Sequence, residues 1–173
     1  MTQVFTDASS AILLEKADLF EPLLTLFQIV MAPSVFEEIT PTGYPGADFF
    51  SVLHKSSQIL VSPLKNDGFD GCPQPGEMDK GERDTLCLFL EKKQGFILTD
   101  DGQAARYCRA HCLPFINALL VPKIFWYAGQ MSQEDCFIRM KALCRIGRYS
   151  DTVRAFAFDC GPGDLSFFLG ELG

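Results

Sequence analysis

The chain has 173 residues, 47% of them hydrophobic and sixteen of them Phe, which suits one packed domain and excludes general disorder. A net charge of −7 argues against a module that simply coats nucleic acid, because phosphate neutralisation needs a basic surface. It leaves room for carboxylates gathered around a divalent metal. No run of about eighteen apolar residues occurs, and MTQVFTDASS lacks the basic and apolar regions of a signal peptide. The expectation is a cytoplasmic protein without a membrane span.

Seven Cys stand at 72, 87, 108, 112, 136, 144 and 160. No CxxC pair is present, so the expectation is reduced thiols acting as small apolar residues. Cys108, His111 and Cys112 are close in sequence but lack a second ligand pair for zinc.

In chain order, Val4-Phe5-Thr6 reads as a strand ending at Asp7. AILLEKADLFEPLLTLF follows with apolar residues at helical spacing, Ser9 or Ser10 is suited to cap it, and Asp7 is either a cap or turn residue or a site acid. Gln28 to Ala32 predicts a second strand, and Pro33-Ser34 a helix start carrying Glu37 and Glu38. Adjacent helical positions point about a third of a turn apart, so only one of these two acids can face the sheet end. ADFFSVLHK predicts a short helix and Ser57 to Val61 a strand. Residues 62–78 are rich in Gly, Pro, Asn and Asp and read as a loop, in which Lys65, Asn66 and Asp67 are either substrate contacts or a solvated turn.

Asp79 is placed to cap the helix KGERDTLCLFLEKKQG, which Gly95 stops. Phe96 to Thr99 predicts a strand that runs into two adjacent carboxylates, Asp100 and Asp101, and then a helix from about Gln103 to His111. Like charges side by side are costly unless a cation or hydrogen-bond donors offset them. Leu113 to Ile116 predicts a last strand ending at Asn117, followed by two closing helices and an irregular tail from Tyr149. Strands alternating with helices point to an α/β fold, a parallel sheet with helices on its faces. In such a sheet Asp7, Asp101 and Asn117 share one edge, with Glu38 and Asp84 facing it. Hard oxygen donors of this kind suit Mg²⁺ or Mn²⁺.

DASSAILLEKADLFEPL, APSVFEEI and DKGERDTLCLFLEKKQGFILTDDGQAARYCRAHCLPF together resemble the PIN-domain superfamily of metal-dependent nucleases. The small prokaryotic PIN-like proteins read D-x-S, V-x-x-E-[IV], G-E-x-[ED]-[AT] and T-x-D in this order, and the resemblance covers about residues 4 to 145. It implies a three-layer α/β/α fold with a central parallel sheet, residues 1–150 forming the domain and 151–173 a C-terminal extension packed on or tailing it. It places catalytic and metal-binding acids at Asp7, Glu38, Asp84 and Asp101, with Asp100 as a further metal-site acid. Glu82 flanks them, Ser9 supplies a supporting hydroxyl, and Asn117 stands near an additional polar ligand. GERDT offers both Glu82 and Asp84 for one position, and Asp84 is preferred; by the T-x-D spacing Asp101 is preferred to Asp100.

The activity implied is Mg²⁺- or Mn²⁺-dependent endonucleolytic cleavage of single-stranded RNA; Lys80, Arg83, Arg106 and Arg109 are either substrate contacts at the rim or solvated charges. The resemblance also allows a toxin held by an antitoxin-like partner protein, and a homodimer. The alternative is a catalytically inactive PIN-like module that binds protein or RNA. A receiver-type phosphate-handling domain fits less well, because the paired acids follow a late strand and no later strand-end Lys is evident.

Overall fold

Five short apolar runs build one parallel sheet: β1 (Gln3–Thr6), β2 (Gln28–Met31), β3 (Ile59–Val61), β4 (Phe96–Leu98) and β5 (Phe115–Ile116). The computed structural model describes residues 1–65 and 71–170; Asn66, Asp67 and the last three residues of the tail lie outside these. The spatial order is β3-β2-β1-β4-β5, with Phe5 opposite Val30 on one side and Ile97 on the other. Helices cover both faces, so the central strands read as continuous apolar runs rather than alternating ones. All three residues of β4 are buried. The architecture is the expected three-layer α/β/α fold.

Ten helices are described: α1 (Ala8–Lys16), α2 (Phe20–Leu26), α3 (Pro33–Ile39), α4 (Ala47–Lys55), α5 (Lys80–Lys92), α6 (Gly102–Ala110), α7 (Val121–Tyr127), α8 (Gln133–Ile146), α9 (Asp151–Asp159) and α10 (Ser166–Gly170). A 3-10 turn at Ala118–Leu120 joins β5 to α7. α5 packs on β1 and β4 and against α3.

Several local expectations are corrected. The first helical stretch is two helices, because the chain turns left-handed at Asp18 (φ 53°). Arg139 of α8 holds that break, donating to the Ala17 carbonyl at 2.7 Å and to the Asp18 carboxylate at 3.0 Å. Neither Ser9 nor Ser10 caps α1; Asp7 does, accepting the Ser10 N–H at 2.8 Å. Asp79 stands at the N-cap position of α5 but its side chain makes no capping bond. Cys72 and Cys87 form a disulfide, contrary to the expectation of free thiols throughout. The loop folds back on α5 and brings their Cα atoms to 5.3 Å, inside the span a disulfide needs.

The tail after Tyr149 is helical, not irregular, because it has a core to pack on. Phe168 of α10 meets Phe96 of β4 edge-on at 5.0 Å, and Phe96 meets Phe27 at 5.2 Å. Lys123 of α7, buried, donates to the carbonyls of Phe158 and Cys160, both at 3.0 Å. A buried ammonium is tolerated only with such acceptors. Gly95 is required where the chain enters β4: its φ is +77°, and a Cβ there would fall 1.9 Å from the Gln3 carbonyl oxygen.

Candidate active site at the carboxyl edge of the sheet

The strand order reverses between β1 and β4, with β2 and β3 to one side and β5 to the other. Crevices beyond the carboxyl ends of strands open at such reversals, because the chain leaves the two strands in opposite directions. Asp7 leaves β1 at this point and Asp100-Asp101 leaves β4.

Asp7 is buried and held by donors on both oxygens. Oδ1 accepts the Ser10 N–H and the Ser9 hydroxyl, the latter at 3.1 Å, and Oδ2 accepts the Thr99 hydroxyl. Burial pushes its pKa up while these bonds pull it down. Asp101 caps α6 through Oδ1, which accepts Gln103 N–H at 2.8 Å and Ala104 N–H at 2.7 Å. That cap fixes where the carboxylate stands.

Asp100 does a different job from its neighbour. Its Oδ2 accepts the Ser10 hydroxyl at 2.7 Å and the Ala118 N–H at 3.0 Å, while Oδ1 accepts the Tyr149 hydroxyl at 2.7 Å. One carboxylate thus ties β4 to α1, to the turn after β5 and to the chain beyond α8. Burial, with the charge of Asp7 adding, pushes its pKa up to about 6 despite the Tyr149 bond.

Glu38 reaches the first turn of α5 at Gly81, because α3 packs on α5. A Cβ on Gly81 would lie 3.1 Å from Glu38 Oε2, so glycine leaves room for that carboxylate. Burial raises the Glu38 pKa, and the charges of Asp7 and Asp79 add to the effect. Glu82 is pushed up to about 7 by burial, with Asp7, Asp101 and Asp79 adding. Its Oε2 is buried and has no hydrogen-bond partner among the described residues. The acids that feel one another across this crevice are therefore Asp7, Glu38, Asp79, Glu82, Asp100 and Asp101.

Asp84 is not brought into that set. It is buried on α5, where it accepts the Ser34 hydroxyl at 2.7 Å, pairs with Lys80 through Oδ2 and lies 3.5 Å from Arg83 through Oδ1. Glu82 and Asp84 are two positions apart, about 200° around a helix, so their side chains point to different sides of α5.

Asn117 follows β5 at the same edge, and its Oδ1 is buried without a partner. Arg83 is not a rim cation: it is buried and donates to the Pro73 carbonyl at 3.0 Å, which pins the loop before α5. Lys80 is exposed but paired with Asp84. Arg106 and Arg109 on α6 are exposed. Of the sequence's other candidate, Cys108 is buried with its thiol pushed up to about 12, while Cys112 is exposed.

Ser10, Thr99, Asp79 and Tyr149 were not anticipated as parts of the site. The first three adjoin predicted site residues in sequence, and a small hydroxyl beside a strand-end Asp is a signal for a supporting donor. Tyr149 has no such signal, since nothing local ties it to Asp100.

The buried Asp7, the partly buried Glu82 and Asp100 with their raised pKa values, and one carboxyl oxygen without a donor among the described residues fit a hard divalent cation. No group of three or more His, Cys, Asp or Glu side chains among the described residues is gathered closely enough to hold an ion as it stands.

Residues 3–121 match a family model described as a PIN domain, DUF3368. The chain belongs to the PIN-domain family. The match includes all five strands and every acid named above, and ends where α7 begins. PIN domains are typically nucleases that act on nucleic acid with divalent metal ions, so membership carries that general class. No curated protein and no solved structure matches the chain significantly. Among the described residues, no helix is long and apolar enough to cross a membrane.

Proposed function

We propose that this PIN domain is a Mg²⁺- or Mn²⁺-dependent endoribonuclease that hydrolyses phosphodiester bonds of single-stranded RNA, and that Asp7, Glu38, Glu82 and Asp101 hold the metal. Glu82 takes the place that sequence spacing gave to Asp84. The observation that carries this reading is the half-buried Glu82, whose Oε2 is buried without a donor among the described residues and which feels the charges of Asp7, Asp101 and Asp79. Such an arrangement is costly unless positive charge offsets it.

When bound, the metal would make water a better nucleophile and offset charge on the phosphate. The protein's part is positional. Thr99, Ser9 and Ser10 hold Asp7, and the α6 N–H groups hold Asp101 by Oδ1, leaving Oδ2 for a cation. Asp100 supports the edge rather than ligating, because its donors already come from three elements. Arg106, exposed on α6 beside Gly102, is suited to receive the substrate phosphate.

One observation favours the alternative of an inactive interaction module: among the described residues the acids are not drawn into a ligating cluster. Toxin activity restrained by an antitoxin-like partner, a homodimeric state and a cytoplasmic setting are compatible extensions of the proposal. Cleavage of an end-labelled single-stranded RNA with Mn²⁺, compared between wild type and Asp7→Asn, tests it. Loss of cutting in a folded variant supports the nuclease reading, and equal cutting sinks it.

A further inference from the structure

Between β5, the last strand of the sheet, and the helices α9 and α10 lies a cavity of about 480 Å³. That volume is in the range of small-ligand sites, and its walls are mostly apolar, with Phe115, Phe156 and Phe168 among them. Its polar lining is Arg109, Asn117, Thr152 and Asp164, of which Asp164 accepts the Gly161 N–H at 2.8 Å, and Asn117 and Arg109 stand out. Asn117 lines the cavity and its Oδ1 is buried without a hydrogen-bond partner. Arg109 places its guanidinium 5.8 Å from the centre of the Phe115 ring, and it makes no ion pair with any described residue.

The cavity adjoins the acid crevice. Asn117 is followed by Ala118, whose N–H bonds Asp100 at 3.0 Å, so the carboxyl edge of β5 is shared by both. The chain's charge of −7 repels RNA, and a single guanidinium is a weak grip by itself. Aromatic walls grip a base without adding positive charge, and they grip only an unstacked one.

We propose that this cavity receives one unstacked base of the single-stranded RNA substrate. The base stacks on the aromatic wall and pairs its edge with the Asn117 amide, while Arg109 holds a neighbouring phosphate. The proposal rests on the ribonuclease reading for its choice of ligand, and its test does not depend on cleavage.

The test is fluorescence anisotropy of a labelled, uncleavable 2′-O-methyl RNA strand in EDTA, with an unlabelled nucleoside monophosphate as competitor. Phe156 is 52% exposed, so Phe156→Ala removes wall with little risk to the fold. Phe156→Ala is expected to weaken binding about tenfold, the scale of one base–aromatic stack. Arg109→Gln is expected to weaken binding and to lower the slope against log salt by about one. Ile138→Ala, which changes an exposed apolar residue on α8, serves as the surface control and should bind as wild type. No RNA binding, equal affinity in wild type and Phe156→Ala, or a free mononucleotide that competes as well as the strand would each overturn the proposal. If the binding differences hold while the wild type cuts no RNA with any metal, the nuclease reading fails and the base pocket stands.

Discussion

Glu82 and Asp84 stand two residues apart on α5 in opposite electrostatic circumstances. Asp84 is met by Ser34, Lys80 and Arg83, whereas Glu82 Oε2 is buried with no donor and faces the charges of Asp7 and Asp101. Removing the two carboxylates should therefore have different consequences. Asp84→Ala removes a buried carboxylate that accepts the Ser34 hydroxyl and meets Lys80 and Arg83, and should cost about 1.5–3 kcal/mol, seen as a lower urea midpoint. Glu82→Gln removes a repulsive charge and should hold or raise the midpoint in metal-free buffer. A Glu82→Gln loss as large as that of Asp84→Ala would show that Glu82 is a structural acid.

The pH dependence follows from the same acids. Glu82 is raised from 4.5 to about 7 and Asp100 from 3.8 to about 6, both chiefly by burial. A raised native pKa means the folded state holds the proton more tightly than the unfolded chain does. These groups then stabilise most below their unfolded values, and that contribution is lost as pH rises through about 6 and 7. The metal-free protein should melt progressively lower between pH 5 and pH 8, on the order of 2–4 °C per kcal/mol lost. Glu82→Gln should flatten the curve and added Mn²⁺ at pH 8 should raise the melting temperature. Differential scanning calorimetry across that range decides it; a wild-type melting temperature that climbs with pH would oppose the assignment.

Tyr149 lies outside the stretch that matches the family and reaches back to Asp100 over 49 positions. Tyr149→Phe deletes one hydrogen bond to a carboxylate, worth roughly 1.5–3 kcal/mol. Its bond also lowers the Asp100 pKa, so the variant's Asp100 should titrate higher still. Carboxyl chemical shifts followed by NMR through a pH series measure this, and an unmoved Asp100 would mean the bond is absent in solution.

Gly95 offers a check on the sheet itself. Gly95→Ala sets a Cβ against the Gln3 carbonyl at a left-handed φ and should cost more than about 2 kcal/mol. A variant of wild-type stability would show that the chain enters β4 by another route.

The fold was largely legible because parallel strands buried on both faces leave short apolar runs, and each was bounded by Pro, Gly or Asp. The strand-end acids were legible for the same reason, since Asp7 and Asp100-Asp101 terminate such runs. Which acid of GERDT faces the crevice was not legible: the choice depends on Ser34 and Arg83 claiming Asp84, and Ser34 comes from a different helix. The helical tail was missed because Phe168 is ordered by Phe96, far away in the chain. The break at Asp18 was missed because apolar spacing continues across it while Arg139 supplies the reason to turn.

The most direct test of the active-site account is the Mn²⁺-dependent cleavage rate of a labelled single-stranded RNA by wild type, Glu82→Gln, Asp101→Asn and Asp84→Asn, normalised to the folded fraction. The account predicts that Glu82→Gln and Asp101→Asn each fall by about 100-fold or more, while folded Asp84→Asn keeps most of its rate. Full activity in Glu82→Gln together with loss in Asp84→Asn would contradict it.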